Sequence, residues 1–154
     1  MYKLVIFFFL LAGCQNTTGE IVSKKPSYED ISFDVVEKRI FFDNSLPEQM
    51  IILINEWFDK KVKVNGIEGL VKIKANKYSK KITDIKEGKK VQIDLEILIE
   101  ISKPILSQKK YHKIILNEFS TITGNFSLNE VDRIILNTQI NLVDRLANKL
   151  KSKI

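Results

Sequence analysis

The segment from Lys90 to Ser102 constrains this chain more than any other: Val91, Ile93, Leu95, Ile97, Ile99 and Ile101 fall at every second position, with Gln92, Asp94, Glu96 and Glu100 between them. Apolar side chains at period two hold one face of a strand against a core along its whole length, because a one-residue slip would turn all of them to water. Two weaker strand signals flank it. Upstream, from Leu70 to Lys81, Val71, Ile73 and Ala75 alternate with Lys72, Lys74 and Asn76, and a turn falls near Lys86-Glu87-Gly88-Lys89. Downstream, a run from Lys109 to about Ile122 follows Pro104 and Ser107-Gln108; its consecutive Ile114, Ile115 and Leu116 predict either burial on both faces or a bulge. Three strands with no helix between them read as an antiparallel meander.

Helical periods bracket the meander. An earlier strand, from Ile31 through Phe33 and Val35 to about Phe42, leads into Asn44-Ser45-Leu46-Pro47-Glu48. Ser45 and Glu48 have the spacing of a capping box, with Pro47 inside the first turn. Leu46, Met50, Leu53, Ile54, Trp57 and Phe58 then share one face, predicting a helix from Leu46 to Lys61 with Trp57 in the core, and Asn65-Gly66 closes the segment. A second box, Ser127 and Glu130, opens the last segment, where Phe126 can staple onto Val131. Leu128, Val131, Ile134, Ile135, Leu142, Leu146 and Leu150 form its apolar stripe. The order β-α-β-β-β-α predicts an α+β, two-layer sandwich: a mostly antiparallel sheet with both helices on one face, which buries every stripe named above.

Composition narrows the chemistry. One His and one Cys exclude a disulfide framework and any site built from several His or Cys ligands. The sequence has no Gly-rich phosphate loop, no Gly-x-Ser-x-Gly elbow and no His-Glu-x-x-His. No enzymatic activity, cofactor or metal is therefore expected. The net charge of +6 points to an acidic partner, but 22 Lys against 3 Arg, with 23 Ile and 11 Asn, is what an AT-rich genome writes in any case.

The lone cysteine is more telling than the charge. Met1-Tyr2-Lys3 gives a positive start, and the apolar run Leu4 to Ala12, too short to span a bilayer, ends in Gly13-Cys14. Leu11, Ala12, Gly13 and Cys14 resemble the bacterial lipobox, which implies cleavage before Cys14 and acylation of its thiol. Residues 1–13 are then a signal peptide, residues 14–30 an acylated tether, and residues 31–154 a single periplasmic domain. Gln15 in place of Asp at the next position implies the outer membrane, on its periplasmic side.

Within the domain, His112 reads as a surface strand histidine. Asp94, Glu96 and Glu100 read as partners for Lys72, Lys74 and Lys77 on the adjacent strand, not as metal ligands or acid–base groups. The cations Lys72, Lys74, Lys77, Lys80 and Lys81, continuing to Lys86, Lys89 and Lys90 around Tyr78, are the candidate binding face for anionic lipid. Nucleic acid is not an expected ligand in the envelope.

A lipobox at Leu11 to Cys14, a short tether, and β-α-β-β-β-α closed by a long helix from Leu128 together resemble the small lipopolysaccharide-assembly lipoproteins of the outer membrane, the LptE-like family. That resemblance covers roughly residues 14 to 154 and rests on architecture and length. It implies support of a translocon β-barrel, with lipopolysaccharide bound at the Lys72 to Lys90 hairpin. Two other assignments share the features: an auxiliary lipoprotein of ABC-type intermembrane lipid transport, and a scaffold or pilotin-like partner with no lipid ligand.

Overall fold

A computed structural model of the chain describes residues 30–152. The expected signal peptide, lipobox and tether up to residue 29 lie outside the described residues. The elements run β1 (Ile31–Phe33), β2 (Glu37–Phe42), α1 (Glu48–Lys61), β3 (Val62–Val64), β4 (Leu70–Ile85), β5 (Gly88–Lys103), β6 (Gln108–Thr123) and α2 (Leu128–Lys151). The fold is α+β: a four-stranded sheet in the order β2-β4-β5-β6 and a small parallel pair β1-β3, with α1 and α2 packed on the same face of the sheet. Among the described residues no helix is long and apolar enough to cross a membrane.

The alternation in β5 sets the sheet. Val91, Ile93, Leu95, Ile97 and Ile99 are buried, as are Val71, Ile73 and Ala75 on β4 and Ile114 and Leu116 on β6. Strand β5 pairs antiparallel with both neighbours along its length. The helices close over this face with Met50, Ile54, Trp57, Leu142, Val143, Leu146 and Leu150, all inaccessible to solvent.

Four expectations need correction. First, the strand from Ile31 to Phe42 is two strands. The chain pairs in parallel with β3 through Phe33, steps aside at Asp34–Val36, and pairs in parallel with β4 from Glu37. Its partner steps aside in concert: Asn65 N–H donates to Phe33 O, Gly66 N–H to Val35 O, and Val36 N–H to Glu68 O. Gly66 makes the step possible, since a Cβ there would lie 2.4 Å from Val35 N. Strand β3, three residues directly after the helix, is too short to show a period of its own.

Second, Ser45 and Glu48 form no capping box, and α1 begins at Glu48, not Leu46. Pro47 disfavours helical backbone at the residue before it, and Pro47 itself is the uncapped N-cap. The Ser45 N–H instead donates to Asp43 Oδ1 at 3.0 Å, and Ser45 Oγ accepts from Tyr78 N–H at 3.3 Å. Leu46 is buried nonetheless.

Third, β6 pairs with β5 without interruption, and Ile115 is exposed between buried Ile114 and Leu116. The register shift lies on β4 instead, at Asn76 between Ala75 and Lys77. Fourth, Leu128 stands outside the apolar stripe of α2 and is 84% exposed.

The second capping box forms. Glu130 N–H donates to Ser127 Oγ at 3.3 Å, and Ser127 N–H donates to Glu130 Oε2 at 2.6 Å. The Ser127 N–H, then its hydroxyl, hold the Glu130 carboxyl below the usual glutamate range. A depressed carboxylate contributes stability above its unfolded pKa and loses it as pH falls through the folded value. Ser127→Ala should therefore cost about 1 kcal/mol at neutral pH, read by urea unfolding, with a smaller deficit at acid pH. An equal deficit at both pH values would deny the box its electrostatic part.

Candidate functional site: the uncovered sheet face

Helices cover one face of the sheet and leave the other to solvent. The residues on this second face are the odd positions of β2 and β6, the even positions of β5, and those of β4 set by its bulge. Cross-strand partners share a face, so Lys72 opposite Glu100, Lys74 opposite Leu98 and Lys77 opposite Glu96 lie on the uncovered side, as does Lys81 opposite Gln92. Lys80 pairs with Ile93, whose side chain is in the core, and therefore points the other way. The bulge at Asn76 decides this, because uninterrupted alternation would group Lys80 with Lys72 and Lys74 and turn Lys77 and Lys81 away. Asn76 Nδ2 donates to Glu96 Oε1 at 2.8 Å and ties the bulge to β5.

Of the five candidate lysines, four thus share the uncovered face. Lys80 lines a cavity of about 630 Å³ on the helix side, with Ser45, Tyr78, Asp132, Arg133 and Gln139. There Gln139 Nε2 donates to Tyr78 Oη at 3.2 Å, and burial raises the Tyr78 pKa against the lowering effect of that bond.

Of the three β5 carboxylates, only Glu100 forms an ion pair with a β4 lysine among the described residues. Lys72 Nζ lies 3.7 Å from Glu100. Glu96, however, pairs with Lys113 of β6 at 2.7 Å and not with a β4 lysine. Hydrogen bonds from Lys113 and Asn76 hold its carboxyl below the usual range. Asp94 accepts from Ser79 Oγ at 3.1 Å, from Gln92 Nε2 and from Asn117 Nδ2. Among the described residues no group of three metal-ligating side chains assembles. His112 is half-buried on β6, opposite Ile99.

What the lysine count misses is the apolar content of the same face. Phe41 (45% exposed), Tyr111 (67%), Ile115 (60%) and Phe119 (57%) stand on it, with Leu98 half-buried among them. Phe41, Leu98 and Tyr111 line a shallow cavity of about 370 Å³, rimmed by Lys72, Lys74 and Lys113. Further along, Lys90 Nζ lies 4.5 Å above the Phe119 ring, a cation–π distance. The signal was present in the sequence: Leu98 interrupts an otherwise polar row on β5, and Ile115 takes a position where alternation calls for a polar residue. Cations beside accessible apolar surface suit an amphiphile with an anionic head and an apolar body better than a purely ionic ligand.

No family model and no curated protein matches the chain. Among solved structures it is similar to bacterial lipoproteins. A minor lipoprotein from Acinetobacter baumannii superposes with a TM-score of 0.49 at 11% identity, over 78% of this chain and 92% of that one. The rare lipoprotein B from Shewanella oneidensis gives 0.47 at 10% identity, over 77% and 96%. A putative neuraminyllactose-binding hemagglutinin homolog from Helicobacter pylori gives 0.42 at 9% identity, over 83% and 92%. Likeness of this degree assigns no ligand.

Proposed function

We propose that this chain is a non-enzymatic, lipid-anchored protein of the bacterial envelope, held at the periplasmic side of the outer membrane through Cys14, and that its uncovered sheet face binds lipopolysaccharide in support of an outer-membrane translocon barrel. The observation that carries the ligand reading is the mixture on that face: Lys72, Lys74, Lys77 and Lys113 beside Phe41, Leu98 and Tyr111. Phosphate groups meet the ammonium groups, and acyl chains or sugar rings meet the apolar floor. Lys74 closes no ion pair among the described residues and is available to a phosphate.

Reversing the charge at Lys72, Lys74 and Lys77 together tests the reading. Each lysine near an anionic surface is worth ~1 kcal/mol, so the triple glutamate variant should bind lipopolysaccharide at least about a hundredfold more weakly by calorimetry. Unfolding of the variant should stay cooperative, since all three side chains reach solvent. Absence of binding in the parent, or unchanged binding in the variant, would remove the ligand reading. Copurification addresses the partner: a translocon component should bring down an outer-membrane barrel, whereas recovery of a substrate-binding ring protein would favour intermembrane lipid transport.

A further inference from the structure

One end of the domain carries exposed aliphatic side chains that neither the core nor the uncovered face accounts for. The β5–β6 turn presents Ile105, 82% exposed, and Leu106. The neighbouring loop between β3 and β4 presents Ile67, 98% exposed, and the β1–β2 step presents Val36. These three segments are tied together. Ile105 N–H donates to Glu68 Oε2 at 3.2 Å, Val36 N–H donates to Glu68 O at 3.2 Å, and Lys103 pairs with Asp34. Ser107, with φ of 50°, shapes the turn that lifts Ile105 and Leu106 outward.

We propose that this end of the domain is a membrane-docking surface whose occupant is the headgroup region of an anionic bilayer, into which Ile67, Ile105 and Leu106 insert. The inference goes beyond the lipopolysaccharide reading and rests on its Cys14 anchor only for orientation. Three observations support it. Lys109 and Lys110, exposed and without an ion pair among the described residues, follow the turn directly and suit lipid phosphates. Glu68, Asp34 and Asp30, acidic groups of this end, are engaged by the Ile105 N–H, by Lys103 and by Lys61, respectively. The place where the described residues begin gives the third. Asp30 immediately precedes the three-residue β1, which leads into the Asp34 step, and fifteen residues lie between Cys14 and Asp30. That connection reaches at most about 55 Å and enters the domain at this end. An acyl anchor on Cys14 attaches the chain without orienting the folded domain, and an inserted turn fixes which way it faces.

The experiment places a fluorophore at the tip of a chain that cannot be acylated. The full chain carrying Cys14→Ser, Trp57→Phe and Ile105→Trp is mixed with vesicles of phosphatidylethanolamine and phosphatidylglycerol containing brominated acyl chains. Quenching and a blue shift at position 105 are expected, with much less of both on phosphatidylcholine. The companion chain has Phe119→Trp in place of Ile105→Trp and reports contact through the uncovered face. Quenching at 119 but not at 105, or at neither, overturns the proposal. Ile67→Asp with Leu106→Asp, added to the tip reporter, should weaken vesicle binding at least tenfold; unchanged binding also overturns it. All the chains lack the thiol, so failure here is distinct from failure of acylation. Vesicle binding and lipopolysaccharide binding are likewise read with different ligands.

Discussion

Cys14→Ser should move the protein from the membrane fraction to the soluble fraction and abolish incorporation of a palmitate analogue. The size of the effect follows from lipid chemistry. Each buried methylene of an acyl chain is worth about 0.8 kcal/mol, so losing several chains removes far more affinity than any patch of side chains can restore. The docking end described above is expected to leave only weak, salt-sensitive residual binding. Persistent label in the Cys14→Ser chain would refute acylation at this residue, and with it the outer-membrane placement read from Gln15. Retention of the wild-type apolar run without label would point instead to an uncleaved N-terminal anchor. The folded domain should be indifferent to the change, because the described core begins at Ile31.

Trp57→Ala should produce the largest loss of stability available to a single substitution here, about 3–5 kcal/mol, measured by urea unfolding. Trp57 is wholly inaccessible, on the buried face of α1 with Met50, Leu53, Ile54 and Phe58. Truncation to a methyl leaves a cavity that the sheet behind it is too rigid to fill. Trp57→Phe separates packing from hydrogen bonding. The indole Nε1 has no hydrogen-bond partner among the described residues, so removing it forfeits no hydrogen bond and releases a buried unsatisfied donor. The phenylalanine variant should therefore lose no more than about 1.5 kcal/mol. Equal losses in the two variants would show that the indole N–H contributes through a partner not seen here.

Much of the fold was legible because the signals that specify it are local. The period-two run on β5, the 3.6-residue stripe of α2 and the Ser127–Glu130 box each need only neighbours in sequence, and each forms as its spacing implies. Signals depending on a distant partner were misread. Ser45 has the spacing of a cap, yet its hydroxyl is taken by the Tyr78 N–H, thirty-three positions along the chain. The break at Asp34–Val36 depends on Gly66, which admits the close approach of another strand. Strand β3 exists only because β1 lies beside it.

The candidate site divides along the same line. That lysines crowd β4, and that carboxylates and cations alternate across β4 and β5, are properties of the sequence. Which lysines act together is not, because one bulged residue, Asn76, reverses the facing of everything beyond it on β4. It brings Lys77 and Lys81 to the face of Lys72 and Lys74 and sends Lys80 to the helix side. The apolar half of the site comes from three strands, with Phe41 on β2, Leu98 on β5 and Tyr111 on β6, and no stretch of sequence contains it.

The sequence by itself determined the α+β class, the antiparallel meander, the long closing helix and the isolation of a single cysteine behind a short apolar run, because each depends on composition or on a period within one segment. Only the tertiary structure decided which side of the sheet stays open, which cations share it, and that Val36, Ile67, Ile105 and Leu106 meet at the end where the described residues begin. Those outcomes depend on register and on contacts between segments far apart in sequence, and a one-residue change in register inverts a face without altering any local pattern.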